Sequence, residues 1–271
     1  MVKKLKIYNN FNIPNKFKKS IILIGNFDGL HSGHQKLFEL AKKYKTKYKS
    51  KVGVVTFDPI PKMFFNTKIK NYRISNFNQK VIYLKKFGVD FVINKKFDKN
   101  FSKITYYQFI KNILSKKLRS KFIFVSNNFR FGHKREGDVA MLKKFENDFS
   151  YNLINPTPLM KNKKIISSTI IRRLLEEGKL SKANTFLKRN WEIEGKVQRG
   201  RMMGQKIGFP TCNIDIGNYV IAKPGVYAVK TRINDRRKFY KGIANLGYRP
   251  TFNQKKILLE VNIFNFSGNL Y

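Results

Sequence analysis

Across its 271 residues the chain carries 57 Lys and Arg against 16 Asp and Glu, a formal net charge of +41, with a single cysteine. That length can bury a full core in one large or two medium domains, and the lone Cys212 excludes an intrachain disulfide framework. The lysines are spread along the whole chain among many Asn, Ile, Phe and Tyr. The charge therefore reads as compositional drift with solvated faces, not as a basic patch built for a specific nucleic acid.

The N-terminal segment has no continuous apolar stretch, and the apolar run 21–24 is too short for a signal or a span. A soluble cytoplasmic protein with no membrane partner is expected. The run 21–24 predicts a strand, followed by Gly25-Asn26-Phe27-Asp28-Gly29-Leu30-His31-Ser32-Gly33-His34-Gln35 and an amphipathic helix over 36–45. Two of the chain's three histidines sit in this strand–turn–helix, at i and i+3. At that spacing both imidazoles can face one ligand, beside a helix N-terminus suited to phosphate.

Further strands are expected at 52–57, 91–93, 122–126 and 151–154, with helices at 77–87, 106–116 and 139–147 between them. This alternation implies a Rossmann-like α/β domain, its parallel sheet covered by helices on both faces and its ligands bound beyond the strand C-termini. Helices follow at 169–177, closed by Gly178, and at 181–187. Beyond Trp191 come short alternating runs at 191–197, 211–216, 227–231, 239–244 and 258–264, separated by Gly, Pro and Asn turns. They imply a small antiparallel β-barrel. The boundary falls near 188–190, giving domains 1–187 and 188–271.

Five more segments belong with the histidine turn. They are Phe57-Asp58-Pro59-Ile60-Pro61, Ser126-Asn127-Asn128-Phe129-Arg130-Phe131-Gly132, Ile166-Ser167-Ser168-Thr169-Ile170-Ile171-Arg172, Gly204-Gln205-Lys206-Ile207-Gly208-Phe209-Pro210-Thr211-Cys212-Asn213, and Asn245-Leu246-Gly247-Tyr248-Arg249-Pro250-Thr251-Phe252. In this order they resemble the bacterial bifunctional riboflavin kinase/FAD synthetase family over nearly the whole chain. The resemblance implies an HxGH nucleotidylyltransferase domain, in which FMN phosphate attacks the α-phosphate of ATP. His31 and His34 then serve as phosphate donors, and Gly25, Phe27, Asp28 and Gly29 form the turn that approaches the nucleotide. Ser168 and Thr169 open a helix toward the β- and γ-phosphates, with Arg172 one turn on. Asn128, Phe129 and Arg130 match a flavin- and nucleotide-contacting loop. Phe131 is expected in the core, and His133 as an incidental surface residue.

The second domain resembles the riboflavin kinase barrel, where the 5′-hydroxyl of riboflavin attacks the γ-phosphate of ATP. Glu260 matches the family's general base, Thr211 and Asn213 share a strand face toward Mg²⁺, and Gly204 and Gly208 bracket a phosphate loop. Cys212 points the opposite way and is expected in the core. The resemblance thus implies ATP and Mg²⁺ as co-substrate and cofactor, and riboflavin, FMN and FAD as substrates or products; a homo-oligomer is left open. There are departures from the pattern. Ile60 stands where the family has His, Ser126 replaces a usual glycine, and Asn265 and Asn269 stand where the family often has Asp. Family members also continue past Leu270-Tyr271 through another strand and a helix, which implies an unfinished barrel. A monofunctional FAD synthetase with a degraded kinase domain, or another HxGH nucleotidylyltransferase, is the alternative reading.

Overall fold

A computed structural model of the protein describes residues 5–161, 164–198, 210–234, 238–251, 254–268 and 270. It divides into two compact units. One is formed by Met1–Lys70, Phe77–Ser168 and Phe186–Lys188, the other by Asn71–Asn76, Thr169–Thr185 and Arg189–Tyr271.

The first unit is built on strands β1 (Lys6–Tyr8), β2 (Ile21–Ile24), β3 (Val52–Asp58), β4 (Phe91–Lys96), β5 (Phe122–Phe124) and β6 (Asn152–Ile154). They lie in the order β1-β4-β3-β2-β5-β6, and every pairing is parallel. Around them run α1 (Ser32–Lys47), α2 (Pro61–Phe65), α3 (Phe77–Lys86), α4 (Lys99–Ser102), α5 (Tyr106–Gln108) and α6 (Val139–Lys144). Because successive strand side chains alternate between faces, β2 feeds two cores. Ile21 and Leu23 pack with Leu37, Phe38 and Ala41 of α1 and Leu84 of α3. Ile22 and Ile24 pack with Ile110, Ile113 and Leu114 and with Leu142 of α6. Burial on both faces explains why these strands read as continuous apolar runs.

The chain leaves β4 and returns on the far side of β2 as β5, so strand order reverses beside β2. In open parallel sheets the crevice beyond the strand ends at such a point is where ligands bind. The turn after β2 and the loop after β5 both begin there.

The helix expected at 106–116 begins as α5, with a Thr105/Gln108 capping box, and then widens into a π-helix over Phe109–Lys117. Strand β1, helices α2 and α4, and a hairpin of β7 (Met160–Lys161) and β8 (Lys164–Ile165) are additional to the expected elements. All are too short to display a hydrophobic period.

Helices α7 (Ser168–Glu176) and α8 (Leu180–Leu187) follow, and Gly178 between them adopts φ 75°, the left-handed turn expected after a helix end. The second unit's sheet comprises β9 (Val197–Gln198), β10 (Thr211–Ile214), β11 (Gly225–Arg232), β12 (Phe239–Thr251) and β13 (Gln254–Ile263). Their order is β11-β12-β13-β10-β9, all antiparallel. Among the described residues β11 and β9 each pair on one side only. Cys212, Ala244 and Val261 form one inward row, and Ile214, Leu246 and Leu259 the next. Cys212 is thus a core residue, and burial pushes its thiol pKa up.

The strand expected over 191–197 is not formed before Val197. The Trp191 backbone N–H donates to Asn184 Oδ1 at 2.7 Å, and its indole N–H to the Ile74 carbonyl at 2.9 Å. These side-chain and loop partners take the place of a strand ladder.

Candidate active sites

Between β2 and α1 the backbone is held in uncommon conformations. Phe27 has φ 46° and Leu30 φ 37°, in the left-handed region that non-glycine residues rarely enter, and Gly29 has φ 77°. Strained residues clustered at a sheet's switch point are a signature of functional turns. His31 is the N-cap of α1, its Nδ1 accepting from the His34 backbone N–H at 3.4 Å. In the neutral ring this assigns the proton to Nε2. The two imidazoles stack with centroids 3.7 Å apart, and Phe27 meets His34 edge-on at 5.3 Å.

His34 Nδ1 is buried with no hydrogen-bond partner. Burial, followed by the neighbouring His31 and Lys80, holds its imidazole well below the usual histidine range. The site therefore presents a neutral His34. A Cβ at Gly33 would lie 3.1 Å from His31 Nδ1 and 3.2 Å from the Ile166 carbonyl, tighter than side-chain contacts usually are, so a larger residue would need one of them to give way. Asp28 is buried in the same turn, and its carbonyl accepts from the Ser168 hydroxyl at 2.9 Å. That bond ties the start of α7 to the histidine turn.

Two residues outside every sequence motif join this turn. Lys80 on α3 is buried and donates through Nζ to Thr56 Oγ1 at 3.2 Å, and Thr56 donates to the Asn26 carbonyl at 3.3 Å. The available signal was helical phase, since Lys80 lies one turn before the fully buried Leu84. Ile60 is also buried, at 3 % exposure, at the N-cap of α2. The position that carries His in the resembling family here contributes apolar packing.

Thr169 and Arg172 belong to the second unit. Arg172 is not an exposed helix charge: it is buried, its Nε donates to the Tyr72 carbonyl at 2.7 Å, and its guanidinium lies 3.6 Å from the Tyr72 ring centroid.

The loop after β5 lines a cavity of about 330 Å³ with Asn127, Asn128, Phe129, Arg130, Arg135, Asp138, Val139 and Ala140. The Ser126 hydroxyl donates to Asn128 Oδ1 at 2.9 Å and orients that amide, a contact that glycine could not make. Phe129 is half-buried and stacks on Phe131, which sits in the core as expected. Arg130 pairs with Asp138 at 3.0 Å. His133 is half-buried, and its Nδ1 lies 3.1 Å from the Ser102 carbonyl, so it is a loop tether and not an incidental surface residue.

In the second sheet, register places Glu260 opposite Asn213 on β10 and opposite Asn245 on β12, with Gln198 of β9 beyond Asn213. These residues share the outer face, because the rows on either side of them are apolar and inward. Thr211 lies on the same face, opposite Asn262. Asn213 Oδ1 is buried without a hydrogen-bond partner. Gly204 and Gly208 lie outside the described residues. Among the described residues no group of three or more His, Cys, Asp or Glu side chains could by itself cage a metal ion.

A Rossmann-like parallel sheet with stacked histidines at its switch point, joined to an antiparallel sheet that aligns a carboxylate with amides, defines a two-module α/β–β protein. The FAD synthetase family model matches residues 13–170, and the riboflavin kinase model matches residues 187–271. A bifunctional riboflavin kinase/FMN adenylyltransferase of Buchnera aphidicola subsp. Schizaphis graminum is 39% identical over 263 residues, covering 96% of this chain and 84% of that relative. The namesake from Escherichia coli K12 is 35% identical, covering 93% and 80%. A solved structure titled as a macrolide-efflux protein from Streptococcus pneumoniae matches with TM-score 0.84 and 29% identity, covering 98% of this chain and 86% of that one. Among the described residues no helix is long and apolar enough to cross a membrane. The chain belongs to the bifunctional riboflavin kinase/FMN adenylyltransferase family.

Proposed function

We propose that this chain phosphorylates riboflavin to FMN and adenylylates FMN to FAD, using ATP in both steps, as a cytoplasmic enzyme with small-molecule substrates and no specific nucleic-acid or membrane partner. Residues 1–187 carry the adenylyltransferase and 188–271 the kinase. The observation that carries this reading is the conjunction, on one chain and in family order, of the stacked histidine turn and the Glu260 row.

In the adenylyl transfer an FMN phosphate oxygen attacks the α-phosphorus of ATP, the bond to the β-phosphate breaks, and pyrophosphate leaves. The attacking phosphate is already ionised near neutral pH, so the site's task is alignment and charge stabilisation. A neutral His34 and the Nε2–H of His31 suit donors to phosphate oxygens. Gly25, Phe27, Asp28 and Gly29 shape the turn, Ser168 joins it through the Asp28 carbonyl, and the family resemblance assigns Thr169 and Arg172 to the nucleotide phosphates. The 330 Å³ cavity beside Asn128, Phe129 and Arg130 offers an aromatic face, amides and charge for flavin or nucleotide.

In the phosphoryl transfer the riboflavin 5′-hydroxyl attacks the γ-phosphorus, its proton passes to the Glu260 carboxylate, and ADP leaves. The unpaired Asn213 Oδ1, beside Thr211 and Glu260, is an oxygen donor set that fits a hard cation. Thr211 and Asn213 would hold Mg²⁺, together with ATP phosphates and water, and the bound ion would neutralise phosphate charge. Sparse protein ligation is usual for Mg²⁺ at phosphate sites.

Chromatography of flavins after incubation with riboflavin and Mg·ATP tests the reading. FAD is the expected product. Unchanged riboflavin, with supplied FMN converted to FAD, would reduce the chain to a monofunctional adenylyltransferase.

A further inference from the structure

Lysine is almost never fully buried unless it is paired, and Lys80, only 2 % exposed, is held by hydrogen bonding. Its helix, α3, packs against the Asp28–Leu30 turn, and its Nζ reaches Thr56 on β3. Thr56, itself buried, passes the contact to the Asn26 carbonyl inside the histidine turn. An ammonium on α3, a hydroxyl on β3 and a backbone carbonyl after β2 thus form one hydrogen-bonded line beneath the candidate phosphate site. The charged and titratable groups acting on His34 are His31 of its own turn and Lys80 from α3, and both favour its neutral form.

We infer that Lys80 is a positioning residue of the adenylyl-transfer site: through Thr56 and Asn26 it pins the histidine turn, and its charge adds a fixed buried cation to the ground on which a magnesium-bound triphosphate settles. The inference rests on the adenylyltransferase reading above. A cation already fixed in a water-poor interior needs no reorganisation when phosphate charge arrives, and it acts more strongly there than at a surface. Lys80 also links the strained backbone of the turn to the neutral state of His34, to which its charge contributes after burial and His31. A merely structural lysine would support the first without adding to the second, which burial and His31 chiefly set.

The test uses the full chain. Lys80→Met keeps the aliphatic stem and removes the charge, Thr56→Val cuts the line while leaving the lysine, and Lys80→Arg restores a charge with altered shape. FMN adenylylation is followed against ATP concentration, His34 is titrated by its imidazole NMR signals, and riboflavin phosphorylation reports on the same preparation. The expected result for Lys80→Met is a loss of about a hundredfold in kcat/KM for adenylylation with phosphorylation retained, and a His34 titration moved upward. Thr56→Val should show a smaller loss, and Lys80→Arg a partial recovery with His34 returned toward its wild-type titration. Wild-type adenylylation and an unmoved His34 in Lys80→Met would overturn the inference while leaving the adenylyltransferase reading intact. If Lys80→Met does not fold, unchanged ATP dependence in a folded Thr56→Val overturns it instead. A wild type that makes no FAD from supplied FMN refutes the underlying reading, and the inference with it.

Discussion

Edge-on to Phe27 and face-on to His31, the half-buried His34 ring has exchanged much of its water for aromatic neighbours, and that exchange chiefly favours its neutral form. The consequence for stability has a definite sign. The folded-state pKa lies below the ordinary value of 6.5, so between the two the unfolded chain binds more protons than the native one. The contribution is therefore complete above that ordinary value and is lost as the pH falls toward the folded-state pKa. Denaturant unfolding of the wild type should weaken from about pH 7 to about pH 5 more steeply than that of His34→Gln, which carries no such group. Parallel profiles for the two proteins would contradict a neutral His34. Residue-scale chemistry was unevenly legible in the sequence. The histidine spacing announced itself, but the burial of Lys80 did not, because in a chain this rich in lysine a buried ammonium and a solvated one are the same letter.

Strands and helices are held in place by close packing that a single atom can disturb. Gly53 in β3 faces Phe91 of β4, and a Cβ there would sit 2.2 Å from the Phe91 ring. Phe91 is fully buried between Tyr8 and Phe17 and has no room to retreat. Gly53→Ala is thus expected to destabilise the first unit by roughly 1–3 kcal/mol, seen as a lower denaturant midpoint at an unchanged slope. At this scale the apolar runs of β2 to β5 declared the parallel sheet, since a strand buried on both faces has little else to be. The three-residue β1, with two exposed positions, showed no pattern to read. The run from Trp191 alternates like a strand, but its polar groups are claimed by Asn184, Ile74 and Tyr219 instead of a neighbouring strand. Alternation signals a half-buried face; it does not reveal which partner takes the backbone.

For the molecule as a whole, charge and chemistry separate. The net charge of +41 is spread along the chain, whereas the groups suited to phosphate transfer occur as two compact constellations on two sheets of different architecture. The stacked histidines belong to the first unit and the Glu260 row to the second. If each constellation runs its own reaction, the two activities are separable on a single polypeptide. The most direct measurement is the rate of FMN formation from riboflavin and of FAD formation from supplied FMN, in His31→Ala and in Glu260→Ala. Two separate sites give a crossed pattern: His31→Ala accumulates FMN and makes little FAD, while Glu260→Ala fails on riboflavin but converts FMN at close to the wild-type rate. Equal loss of both rates in both folded variants would contradict two independent sites.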